Sequence, residues 1–215
     1  MDGQTLQSRI YYGYKQAAAH IGLSFSQYRP TTATNALASG NLIQSIKASF
    51  TVRDPAWQKA SDYGKATWYC YADGSQLQRG DYLTGNGFTY FISQMEPLLP
   101  ITAVLCNRTV NVFRPQQTTG VGAQPYGGNT ASNQTEIVTA FPGSILVSSK
   151  AEKSPVNLPG DVRSGWWTML LPPIPGGVLI EDHDVVTDDI NNRYVISTAE
   201  LSELGWRIEM MEAET

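Results

Sequence analysis

At 215 residues, 41% apolar and only 16% charged, the chain has the apolar content for a buried core and does not read as a disordered polypeptide. Its formal net charge of −4, with no Lys/Arg run, excludes a nucleic-acid role carried by a strongly basic surface. Nineteen glycines, twelve prolines, eleven tyrosines and five tryptophans point to many short strands joined by turns.

Residues 4–22 (QTLQSRIYYGYKQAAAHIG) predict the one convincing helix. Leu6, Ile10, Tyr14, Ala17, Ala18 and Ile21 recur at three- and four-residue spacing, which stacks them on one face, and Gly22 supplies the stop. Met1–Arg9 lacks the apolar core of a signal peptide, and no apolar run nears the ~20 residues that span a bilayer, so a soluble protein is expected. Segment 23–43 is polar, rich in Ser, Thr and Ala, and reads as an extended arm.

From residue 45 the period changes to two. SIKASFTV (45–52) alternates Ile46, Ala48, Phe50 and Val52 on one side, as a half-buried strand does. ATWYCYA (66–72) is aromatic and β-prone; GDYLT (80–84), a Gly-Asn-Gly turn (85–87) and FTYFIS (88–93) read as a hairpin. ITAVLCNRTVNVFR (101–114) continues the strand signal to Pro115. Residues 116–135 have no hydrophobic periodicity and mark a linker or long loop. Strand signals resume at GSILVSS (143–149), GWWTMLL (165–171), HDVVT (183–187), RYVIST (193–198) and GWRIEMM (205–211), with AELSEL (199–204) read as one short helical turn.

The two halves repeat. SIKASFTV corresponds to GSILVSSK, and KATWYCY to GWWTMLL. The clearest block sets Asp81-Tyr-Leu-Thr84, turn, Tyr90-Phe-Ile-Ser93 against Asp184-Val-Val-Thr187, turn, Tyr194-Val-Ile-Ser197. Asp ahead of a strand favours a turn because its carboxylate bonds nearby backbone amides. Each half is then read as closing on a strand that carries an arginine, Arg108 and Arg207. The expected fold is mainly β: two related small β-barrel or sandwich units in tandem, with an N-terminal α-helix and long extended arms. The expected domains are 1–43 (helix and arm), 44–115 (first unit), 116–140 (linker) and 141–215 (second unit).

Reactive chemistry is hard to find. His20 and His183 stand apart, without a nucleophile motif beside either, and read as surface or interface histidines. No G-x-S-x-G, H-E-x-x-H, P-loop or Rossmann pattern occurs. Glu181, Asp182, Asp184, Asp188 and Asp189 concentrate carboxylate but lack the spacing of a calcium loop, so they read as a solvated hairpin rim. Cys70 and Cys106 fit neither a disulfide framework nor a zinc site and read as buried free thiols, which suits a reducing compartment. The expectation is therefore no catalytic residue, no metal and no cofactor. Aromatic and arginine side chains anchor protein interfaces; Tyr11, Tyr12, Tyr28, Arg29, Tyr126, Trp166 and Trp167 are the interface candidates.

The run RGDYLTGNGFTYFISQMEPLLPITAVLCNRTVNVFRP resembles sequences of tailed-phage neck proteins of the head-closure or head–tail joining type. DHDVVTDDINNRYVISTAELSELGWRIEMM is similar to the same pattern, and YGYKQAAAHIGLSFSQYRP resembles the start of phage virion proteins. The likeness covers most of residues 45–113 and 141–211 through loose motifs. It implies a virion subunit, assembled in the bacterial host cytoplasm, that forms a cyclic ring, hexamer or dodecamer, between portal, adaptor or tail proteins. Packaged DNA would pass through the channel without sequence-specific binding, and no membrane is involved. The rival readings are a capsid cement or decoration protein and a receptor- or carbohydrate-binding module.

Overall fold

The computed structural model describes residues 2–51, 65–116, 133–148 and 165–213. It is mainly β, with one helix and two six-stranded antiparallel barrels in tandem.

Helix α1 spans Gly3–Ile21. Asp2 caps it by accepting from the Thr5 amide at 2.7 Å, which satisfies one of the four orphan donors of the first turn. Gly22 ends it for want of room: a Cβ there would lie 2.4 Å from the Ala18 carbonyl oxygen and 3.0 Å from that of Ala48. The packed stripe differs from the expected one. Gln7, Tyr11, Tyr14 and Ala18 face the barrel, while Leu6 and Ile21 are exposed. Tyr11 is covered because Gly74 leaves no side chain in its way, a contact that helical spacing cannot foresee.

Barrel 1 comprises β1 (Leu23–Tyr28), β2 (Leu42–Thr51), β3 (Thr67–Tyr71), β4 (Tyr82–Gly85), β5 (Phe88–Gln94) and β6 (Thr102–Cys106). Around the wall the order is β1-β2-β3-β6-β5-β4, and β4 pairs back onto β1 to close it. Closure removes the open edges that a six-stranded sheet would otherwise present. The β4–β5 hairpin turns on Asn86-Gly87, both at positive φ (55° and 80°), as a two-residue loop demands.

Barrel 2 comprises β7 (Arg108–Pro115), β8 (Gln134–Val147), β9 (Trp166–Leu171), β10 (Val185–Asp188), β11 (Arg193–Ser202) and β12 (Gly205–Glu212). Its order, β7-β8-β9-β12-β11-β10 closed on β7, repeats barrel 1 strand for strand. The duplicated reading of the sequence is thus a duplicated topology.

Several boundaries move. Residues 23–28 form the first strand of barrel 1, and the segment after it folds back on its own chain. Thr34 bridges Thr139 of β8, and the amides of Asn35 and Thr139 bond across at 2.8 and 2.9 Å. The expected strand 101–114 is two strands broken at Asn107, and β7 belongs to the second unit. The units therefore meet at residue 107, not at 116–140, and residues 134–140 of that linker are strand. Residues 199–204 continue β11 into its hairpin with β12 instead of forming a helical turn. Tyr126 and most of 116–140 lie outside the described residues.

Candidate functional site

The repeat is most exact where a carboxylate meets a guanidinium. Asp81 precedes β4, buried to 0% exposure, and Arg29 follows β1. Arg29 Nε donates to Asp81 Oδ1 at 2.7 Å and Nη2 to Oδ2 at 2.8 Å, while the Gln78 amide donates to Oδ2 at 2.8 Å. Barrel 2 has the same arrangement. Arg114 Nε donates to Asp184 Oδ1 at 3.0 Å, Nη2 to Oδ2 at 2.8 Å, and the Glu181 amide to Oδ2 at 2.8 Å. Even the spare reach of each guanidinium is shared: Arg29 Nη2 approaches the Gln76 carbonyl and Arg114 Nη2 that of Leu179, each five residues before its aspartate. Hydrogen bonding to the carboxylate raises both arginine pKa values above their ordinary range, against burial, which lowers them. Two parallel charge-assisted bonds fix orientation as well as distance. Each clamp ties the end of its unit's first strand to the start of its fourth, across the pair that closes the barrel.

The sequence marks both aspartates as turn-entry residues and names no side-chain partner for either; the arginines read as closing each half, Arg108 and Arg207, are not the ones that hold them. Arg108 opens β7, and Arg207 lies on β12, bonded to Glu209 at 3.2 Å. The signal that could have found Arg29 and Arg114 is their shared setting, Tyr28-Arg29-Pro30 and Phe113-Arg114-Pro115, once β1 and β7 are seen as equivalent strands. The acidic rim needs a matching correction. Asp184 and Asp188 are buried, not solvated. Asp188 takes the amides of Ile190 and Asn192 at 3.1 and 2.8 Å, so it builds the β10–β11 turn.

A second constellation also repeats. Trp68 on β3 meets Tyr90 on β5 edge-on at 6.2 Å between ring centroids, and Trp167 on β9 meets Tyr194 on β11 at 5.8 Å. Cross-strand pairing makes Trp68 equivalent to Trp167: Trp68 opposes Ala103, and Trp167 opposes Met210. This shifts the expected match of KATWYCY with GWWTMLL by one residue.

Between the barrels the core is continuous. Tyr82, Phe91 and Val104, which point out of barrel 1, belong to the same buried cluster as Phe141, Met169 and Leu171 of barrel 2. The Tyr82 hydroxyl donates to the Pro142 carbonyl at 2.8 Å, and its ring meets Phe141 edge-on at 6.4 Å. Asn107, the single residue between β6 and β7, bonds the Ile145 backbone twice, donating to its carbonyl and accepting from its amide, both at 2.8 Å. Beside this seam runs a cleft of about 450 Å³, lined by Phe91, Thr102 and Val104 on one side and Leu170, Trp206 and Arg207 on the other. Among its polar groups, Ser93 bonds Thr102 and Ser202 bonds the Gly205 carbonyl, while Arg207 reaches Glu209 outside the cleft. Among the described residues, no three His, Cys, Asp or Glu side chains gather as a metal site. No described helix is long and apolar enough to cross a membrane.

Most interface candidates are engaged within the chain. Tyr11 packs on Gly74, Tyr28 and Trp167 against the shared core, Arg29 in its clamp, and Trp166 is half-buried on β9. Tyr12 is 63% exposed. His183 sits at φ 71°, where Gly80 stands at 83° in barrel 1, so both serve the tight turn before an aspartate. What this arrangement does chemically is join the two barrels through one shared core and the bonds at its seam. Compared with family models, curated proteins and solved structures, the chain matches none.

Proposed function

We propose that this chain is a structural subunit of a tailed-phage virion that acts by shape and contact, forming an oligomeric ring at the head–tail interface. The observation that carries the reading is the use of the repeated residues. Both Arg–Asp clamps, both Trp–Tyr pairs and the Tyr82–Pro142 seam serve the rigidity and mutual placement of two barrels. A rigid tandem body with closed sheets presents outer walls for partners without open edges that aggregate. The resemblance of residues 79–115 and 182–211 to neck proteins supports that location.

A carbohydrate-binding module would use exposed aromatic platforms. Trp166 and Trp167 are half-buried, and Trp167 packs on the core, which weighs against that role. The test is cryo-electron microscopy of purified particles carrying this chain. A ring of its density at the head–tail junction is the expected result. Density over the capsid shell would replace the neck role with a cement role, and absence from every particle would overturn a virion role altogether.

A further inference from the structure

The two clamps differ in what surrounds them. In barrel 2, Arg114 meets a second carboxylate: its Nη1 lies 3.3 Å from Glu181 Oε1. Gln78 takes the place of Glu181 in barrel 1, since each gives its backbone amide to the clamped aspartate three residues on. Asp81 is therefore the one carboxylate paired with Arg29 among the described residues. The next position reverses its charge. Asp182 of barrel 2 corresponds to Arg79 of barrel 1, each standing just before the positive-φ residue of the turn, His183 or Gly80. Between equivalent positions, two carboxylates of barrel 2 are thus an amide and a guanidinium in barrel 1.

The two guanidinium-bearing residues share a pocket. Arg29 and Arg79 line a space of about 60 Å³ at the seam, walled by Pro30 and by Phe141, Pro172 and Pro173 of barrel 2. One water needs about 10–15 Å³, so a group of several heavy atoms has room there. Only the two arginines bring polar side chains to its lining, and proline has no N–H to offer. The carboxylates nearby are spent or weak. Asp81 already accepts from Arg29, Gln27 and the Gln78 amide. Glu203 lies 3.6 Å from Arg79 Nη1 with its side chain 79% exposed, a pairing that water screens. Like charges beside apolar walls repel until an anion lies between them. The forked N–H groups of arginine match the spacing of phosphate oxygens.

We infer that this pocket binds a phosphate group, held between Arg29 and Arg79 at the seam of the two barrels. The anion takes at Arg29 the place that Glu181 fills at Arg114. Barrel 2 is therefore an internal control, with the same clamp and its own carboxylate already in position.

The test uses the full chain, ¹⁵N-labelled at arginine, with inorganic phosphate as the probe. The readout is the Nε–H signal of each clamped arginine, Arg29 and Arg114, by nuclear magnetic resonance. The Arg29 signal should move saturably with phosphate, the Arg114 signal should stay, and sodium chloride of equal ionic strength should not reproduce the shift. Gln78→Glu supplies the carboxylate that barrel 2 has and should weaken phosphate binding at least about tenfold, as should Arg79→Gln. Both positions are exposed, so the unfolding midpoint should hold, and an unmoved Arg114 signal reports an intact fold. An Arg29 shift that fails to saturate, that Arg114 shares, or that survives both substitutions overturns the inference. A short DNA duplex then separates the sources of the phosphate. A saturating shift that Arg79→Gln abolishes assigns the site to a nucleic-acid backbone, and a silent duplex assigns it to the free ion.

Discussion

Arg114 holds Asp184 as Arg29 holds Asp81, by two parallel hydrogen bonds from Nε and Nη2. Asp184 is 2% exposed, so removing its charge leaves a guanidinium facing a site that can no longer answer it. Asp184→Asn and Asp81→Asn should each cost about 2–3 kcal/mol. This is below the ~3–5 kcal/mol of a fully buried pair, because the Arg29 and Arg114 side chains remain 31% and 35% exposed. Urea unfolding of both variants checks the sizes, and their near equality checks the repeat. Arg29→Lys should recover little, since an ammonium cannot span both carboxylate oxygens.

Tyr82 crosses the seam. Tyr82→Phe keeps the ring against Phe141 and leaves the Pro142 carbonyl without its buried donor, a loss of about 1–2 kcal/mol. The shared core predicts one cooperative unfolding transition for both barrels, in the wild type and in this variant. Two separated calorimetric transitions would show that the seam does not couple them.

Acid should loosen α1. Burial pushes the Asp73 carboxyl up, but hydrogen bonds from Ser75 and Lys15 outweigh it and hold the group below its ordinary 3.8. A carboxylate depressed in the folded state contributes stability that is fully present above the unfolded value and is lost as pH falls through the folded one. The Lys15–Asp73 tie should therefore persist down to about pH 4 and weaken below it. Amide exchange along α1 should accelerate there ahead of exchange in the barrel walls. Lys15→Met should remove that difference.

Burial pushes the Cys70 thiol up to about 12 and raises that of Cys106 as well. Thiolate is the reactive form, so neither cysteine should react with a thiol reagent in native protein at about pH 8. Both should react fully in denaturant, and the labelling rate should track global unfolding.

The helix, the strand positions after residue 45 and the duplicated hairpin were legible because each rests on local periodicity and turn chemistry. Asp81 and Asp184 were legible too, since an aspartate before a strand has a local role with the amide three residues back. Their arginine partners were not. Arg29 lies 52 residues from Asp81 and Arg114 lies 70 from Asp184, and no local pattern records which strand closes a barrel. The apolar continuity of 101–114 likewise hid the break at Asn107, because both strands carry β-branched residues and the asparagine turns the chain through bonds to a distant strand.

By itself the sequence determined that this is a mainly β chain with an N-terminal helix and two related halves. Period-two alternation and paired turn residues are properties of neighbours, and they survive without any knowledge of contacts. Only the tertiary structure decided that 23–28 is a wall strand, that the units meet at residue 107, and that the two barrels share one core. Those outcomes follow from burial between residues far apart in the chain, where outward side chains such as Tyr82 and Phe91 become interior once a second barrel covers them.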